Sequence, residues 1–220
     1  MPADSTKLSN IYSKQERSLF YKLKSPERIQ DFLDELEINF ELNGETCLSP
    51  RSVIEQGRAH CMEAAMFAAA VFQFSGSKPL LLDLRAAKDD YDHVVALFRY
   101  RKFWGAISKT NHAVLRYREP VYETVRELAL SYFHEYIDNE TRKKNLREYS
   151  LPFDISRFDN RYWQIADHDI FYVPEALDES KHLNMLPAGF RLRKADGVEV
   201  EAGKLEEWLV RRGKVIKNLF

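Results

Sequence analysis

Two cysteines in 220 residues, Cys47 and Cys61, are too few for a disulfide framework and suit a reducing cytosol. Charge of one sign is also missing. Lys and Arg number 33 against 34 Asp and Glu, so no basic field is available to hold nucleic acid. No apolar run approaches the roughly 18 residues a membrane helix needs. The segment Met1-Pro2-Ala3-Asp4-Ser5-Thr6-Lys7 lacks the apolar core of a signal peptide. There is no internal repeat and no low-complexity tract. These absences predict a cytoplasmic chain whose partners include neither nucleic acid nor membrane.

What is present, 45% hydrophobic and 30% charged residues, is the profile of a globular protein. The length suits one α+β domain over 1–220, with a helical lead-in to about 48, a core over 49–137 and a packed extension over 138–220. Ser25-Pro26 and Ser49-Pro50 each place an N-cap serine and a first-turn proline before a helix. The first carries Ile29, Phe32, Leu33 and Leu36 on one face and ends before the Asn43-Gly44 turn; the second breaks at Gly57. From His60 to about Phe74 the chain is apolar on nearly every side, the pattern of a central buried helix stopped by Ser75-Gly76.

Pro79–Leu84 reads as a buried strand, and His93–Phe98 with Phe103–Ser108 as a hairpin across Arg99–Lys102. Glu119-Pro120 opens an amphipathic helix running to Tyr136. Beyond 138 the expected elements are strands at Tyr162–Ile165 and Ile170–Val173, a hairpin turning at Asp196-Gly197 between Phe190–Lys194 and Val198–Glu201, and a final helix near Leu205–Val210.

The chemistry centres on Cys61, placed where a Gly-containing loop enters the buried helix. The macrodipole and unpaired N–H groups at a helix start favour thiolate, the nucleophilic form of cysteine. A base is then needed. Of the six histidines, His60 is the sequence neighbour of Cys61 and points elsewhere if both are helical. His134 lies within a helix, and Asp167-His168-Asp169 reads as a polar turn rather than a metal site. His93 opens a strand beside the helix that Cys61 starts. A hairpin centred on Tyr100-Arg101 would set His93 opposite Ser108, within about 4.5–5.5 Å between Cβ atoms, making Ser108 the candidate to hold the imidazole. The competing reading is a small buried cysteine and a hydrogen-bonding histidine with no chemistry.

The segment Gly57-Arg58-Ala59-His60-Cys61-Met62-Glu63-Ala64-Ala65 resembles the Cys-x-Glu-x-Ala helix start of the transglutaminase-like superfamily, a branch of the papain-like cysteine-protease fold. Asp92-His93-Val94-Val95-Ala96-Leu97 resembles its histidine strand, and Trp104-Gly105-Ala106-Ile107-Ser108 the strand that usually ends in a catalytic aspartate. The likeness covers about residues 50–110. The segments 106–112 and 116–122 are also similar to a group of uncharacterised bacterial proteins in that superfamily.

The resemblance implies a Cys61 nucleophile, a His93 base and Ser108 in the aspartate slot, acting on an amide of a peptide, protein or small carboxamide by hydrolysis or acyl transfer, with no cofactor and no metal. A serine accepts the imidazole N–H without supplying charge; Asn111, Asp83 and Asp92 are the alternatives. Gln56 resembles the glutamine that precedes the nucleophile in papain-like proteases, but a solvated helix-end residue is the simpler reading. Glu63 fits a loop-orienting role or the helix dipole, and Trp104 fits the core better than the cleft. Arg58, Arg116 and Arg118 are placed outside the site. The alternative function is a catalytically impaired binding or scaffolding module on the same fold.

Overall fold

The computed structural model describes residues 10–88 and 90–204, together with the backbone of 209–211 and 214–216. The lead-in forms α1 (Lys14–Lys22) and α2 (Pro26–Glu35). Ser13 and Ser25 cap them, and a reciprocal Ser13–Glu16 capping box starts the first. Strand β1 (Glu37–Ile38) pairs in parallel with β2 (Arg58–Ala59), bracketing α3 (Pro50–Gln56). Helix α3 stops at Gly57, whose φ of 66° lies in the left-handed region that glycine enters without a Cβ penalty. Helix α4 (Cys61–Phe74) follows, and every residue from Met62 to Gln73 is buried. Each large side chain there, Met66 and Phe67 among them, contributes about 1.5–3 kcal/mol through burial.

The main sheet is built from β3 (Leu80–Ala86), β4 (His93–Tyr100), β5 (Phe103–Ile107), β6 (Arg118–Tyr122), β7 (Leu146–Ser150), β8 (Phe153–Asp154) and β9 (His182–Asn184). Its order is β6-β5-β4-β3-β7-β9, with β8 also on β3, and all of these pairings are antiparallel. Leu81, Val94, Ala96, Phe98 and Ile107 face α4. Leu82, Leu84, Val95, Leu97 and Ala106 pack on the other side against Leu128, Ala129, Tyr132 and Phe133 of α5 (Val125–Phe133). Strands covered on both faces lose their polar alternation, which is why Leu80–Leu82 and Val94–Phe98 read as unbroken apolar runs. The chain is thus α+β around an antiparallel sheet, and no helix among the described residues is long and apolar enough to cross a membrane.

Several expectations need correction. The β4–β5 turn centres on Arg101–Lys102, one residue later than expected, with Tyr100 paired to Phe103 and Arg101 at φ 55°. No Gly or Asn marks that turn, so its centre is not written in the sequence. The resulting two-residue register shift places Ser108 level with Val95 rather than His93. It leaves both on the same face, because side chains alternate with a period of two.

The segment at Glu119-Pro120 is edge strand β6, where proline's missing N–H costs no ladder bond. The helix begins later, at the Thr124–Glu127 capping box, and ends at Phe133. Tyr162–Ile165 forms turns after a 3-10 segment, Ile155–Arg161. Ile170–Val173 runs into α6 (Tyr172–Asp178). Asp196 caps α7 (Gly197–Lys204) by accepting the Val198 and Glu199 N–H groups, so no hairpin turns there, and Phe190–Lys194 has no regular structure. Of the expected last helix, 205–208 lie outside the described residues; β10 (Leu209–Arg211), paired with β11 (Lys214–Ile216), occupies the next positions.

Candidate active site

Cys61 is the first residue of α4, and His60 before it is the N-cap, in extended conformation at φ −93° and ψ −176°. Glu63, with no exposed surface, organises this corner. Its carboxylate accepts the His60 N–H (2.9 Å), the Leu48 N–H (2.9 Å), the Thr46 hydroxyl (2.8 Å) and the Asn39 amide (3.0 Å to the nearer oxygen). One buried carboxylate therefore ties the chain at 39, at 46–48 and at 60 to the start of α4. It orients the loop and does not reach substrate.

His93, the first residue of β4, is buried. Its Nε2 stands 2.7 Å from Ser108 Oγ, and Ser108 Oγ donates to the Leu115 carbonyl at 2.5 Å. A hydroxyl has one proton. With that proton on Leu115, Ser108 accepts from His93 Nε2–H, which leaves Nδ1 to face Cys61. Ser108 is itself clamped by Gln30 of α2: its N–H donates to Oε1 (3.0 Å), and its carbonyl accepts from Nε2 (2.7 Å). The lead-in helix thereby sets the position of the imidazole's partner.

Cys61 shares one cleft with the rings of His60 and His93. Burial alone would raise its pKa; hydrogen bonds to the two rings and their charges outweigh that and bring the thiol down to about 5. For His60, burial works downward, while the contact with the Cys61 thiolate, the Glu63 charge and the Thr46 carbonyl lift the ring to about 9. Its Nδ1 accepts the Met62 N–H (3.2 Å), and its Nε2 is 3.2 Å from Thr46 O and 3.3 Å from Glu63 Oε1. His60 is the functional residue that sequence reasoning missed. Neighbours diverge when both are helical, but an N-cap residue has non-helical backbone and turns its side chain back over the helix end. Its signal was the His-x-x-Glu spacing of a capping box.

Both cysteines are free, and they differ. Cys61 keeps accessible surface on the floor of a cleft of about 760 Å³, whereas Cys47 is 1% exposed and burial pushes its thiol upward. His60, His93, Asn111 and Tyr136 also line the cleft.

The remaining expected residues fall as follows. Among the described residues Ser108 is the hydrogen-bond partner of the His93 ring; Asn111 lines the cleft, Asp83 pairs with His182 (3.0 Å), and Asp92 accepts the Ala86 N–H (2.7 Å). Gln56 is exposed and accepts from Arg58 (2.9 Å). Trp104 packs against the α5-side core beneath the Arg99 guanidinium. Arg116 donates to His112 O, and Arg118 pairs with Glu135. Asp167 and His168 pair on the surface, and Asp169 accepts the Cys47 N–H.

One carboxylate group among the described residues, Asp83, Asp92 and Asp178, stands within 4.8 Å, close enough to share a cation. Protein cations already serve it. Arg85 binds Asp178 (2.7 Å) and Glu148 (3.1 Å), while both nitrogens of His182 donate to oxygens, Nε2 to Asp83 and Nδ1 to Ser180 O. A ring donating from both nitrogens is an imidazolium.

Compared with known proteins, the chain matches no family model and no curated protein.

Proposed function

We propose that this chain is a transglutaminase-like thiol enzyme acting on amide bonds, with Cys61 as nucleophile and His93 as general base and acid. The observation that carries the reading is Cys61 at a helix start, sharing one cleft with His93, whose ring is held from behind by Ser108. The order of parts supports it too: a buried helix starting at the cysteine, a strand opening with the histidine, and a neighbouring strand ending just before the residue that holds the ring.

In this mechanism the Cys61 thiolate attacks an amide carbonyl carbon, forming a C–S bond as the carbonyl electrons move onto oxygen. The Cys61 N–H, in the first turn of α4 and without an intrahelical acceptor, donates to that oxyanion. His93 Nδ1–H protonates the departing amine as the C–N bond breaks, leaving a thioester. Water or an amine then attacks the thioester, and His93 takes its proton.

A second reading, an impaired binding module, is favoured by one observation: the group behind His93 is a neutral hydroxyl, so nothing there stabilises imidazolium by charge. Turnover separates the two. Release of amine from a panel of peptide and carboxamide substrates, absent in Cys61→Ala, identifies the enzyme. Iodoacetamide labelling of Cys61 only near pH 8.5 or above would sink that reading.

A further inference from the structure

We infer that the substrate of this cleft carries a positive charge, an ammonium or guanidinium group, close to the amide that Cys61 attacks. This rests on the thiol-enzyme reading and adds the chemical class of what is bound. Two loops line the same cleft as the thiol. One precedes β4 and brings Asp90 and Asp92; the other follows α5 and brings Glu135, Asp138 and Glu140.

Against these five carboxylates, the cleft lining holds, among the described residues, a single Lys or Arg, Lys109. Its ammonium is turned to the end of α2, donating to the Leu33 (2.6 Å) and Leu36 (3.0 Å) carbonyls, and the residue is 4% exposed. It serves as a cap on that helix and presents no cation to a ligand.

Glu135 is met by Arg118 at 2.5 Å. Three of the other four are oriented by neutral donors. Asp90 accepts from Tyr91 N–H and the Asn145 amide, Asp92 from Ala86 N–H, and Asp138 from the Glu140 and Thr141 N–H groups and the Thr141 hydroxyl. Glu140 is exposed at the rim. Among the described residues none of these four stands in an ion pair. Asp90 and Asp138 are thus held in place by uncharged donors, while Asp92 belongs to the cluster with Asp83 and Asp178, where burial and the neighbouring carboxylates push its pKa up.

A concave site lined by one sign of charge concentrates the opposite sign by about 10- to 1,000-fold. An anionic substrate would meet these carboxylates before it met the thiolate. The two loops lie side by side, joined by the Tyr136 hydroxyl donating to the Tyr91 carbonyl, and a peptide with basic residues or a polyamine-like amide would supply the cation.

The test uses three reagents with one reactive group and different charge: methanethiosulfonates carrying a methyl, an ethyltrimethylammonium or an ethylsulfonate. Their rates with Cys61 at pH 6 in the full chain are divided by their rates with a small free thiol, with Cys61→Ala as the control for Cys47. The expected result is a cationic reagent favoured over the anionic one by about tenfold or more. That preference should shrink between 20 mM and 500 mM salt, as the screening length contracts, and again in Glu140→Lys and Asp90→Asn.

Fast reaction of the neutral reagent with equal corrected rates for the charged pair would overturn the charge inference and leave the thiolate standing. Failure of all three reagents below pH 7 would overturn both.

Discussion

His93 Nε2 donates to Ser108 Oγ across 2.7 Å, and the same serine passes its own proton to the Leu115 carbonyl. The chain of donors runs one way, so the histidine tautomer follows from geometry. The price is a partner with no charge. An imidazolium formed during acyl transfer is stabilised by orientation and by the thiolate, not by a carboxylate behind it.

The first prediction concerns the thiol. Iodoacetamide labelling of Cys61 should follow a titration near pH 5, because His60 and His93 together hold the thiolate. His93→Ala and His60→Gln should each move that titration upward, and the double variant should move it toward the ordinary thiol range of about 8.5. Mass spectrometry of the labelled peptide against pH gives the answer. An unchanged profile in both single variants would refute the two-histidine arrangement.

Ser108 should act by positioning. Ser108→Ala removes the acceptor that fixes Nε2–H, and a lost outer partner of this kind costs about 10- to 100-fold where it has been measured at metal-bound histidines. We expect a fall of about tenfold in the rate of Cys61 acylation at pH 6, with partial recovery in Ser108→Thr. The pH profile should broaden as well, since the imidazole is no longer held to one tautomer. Wild-type rates and profile in Ser108→Ala would transfer the role to another group.

Glu63→Ala removes a buried acceptor from at least four donors. Each buried donor left unsatisfied costs about 1–3 kcal/mol, so the loss should reach about 3 kcal/mol or more in urea unfolding. Thiol reactivity below pH 7 should disappear with it, because His60 and the start of α4 lose their anchor. A loss under about 1 kcal/mol would show that the corner holds itself together without the carboxylate.

His182 links stability to pH. Burial lowers its pKa, but donation to Asp83 and to Ser180 O outweighs that, and the folded value lies above the unfolded one. A raised folded pKa contributes stability that is complete below the unfolded value of about 6.5 and lost as pH rises through the folded value. The melting temperatures of wild type and His182→Gln should therefore differ most at pH 6 and converge on the alkaline side. A gap that widens with rising pH would reverse the assignment.

Local punctuation made much of the site-bearing core legible. Ser25-Pro26, Ser49-Pro50 and Gly57 start and stop helices where expected, and the all-apolar run after Cys61 could only be a central helix. Ser108 was within reach because face is set by parity: the register error was two residues, and an error of one would have turned the serine away from His93. The region beyond 138 was not legible. Strand β7 is the short, mixed sequence Leu-Arg-Glu-Tyr-Ser, and its strand character comes from lying against β3, a partner more than 60 residues distant.

From residue order alone came a cysteine at the start of a buried helix and a histidine opening a strand, because helix caps, apolar periodicity and strand parity are short-range properties. Tertiary structure decided what those residues can do. His60 joins Cys61 because an N-cap side chain bends back over the helix end; Gln30 of α2 holds Ser108; and two loops from distant parts of the chain line the thiol's cleft with carboxylates. Those contacts join residues that the sequence does not relate, since hydrogen bonds and charges act across space and a linear pattern does not record which segments will meet.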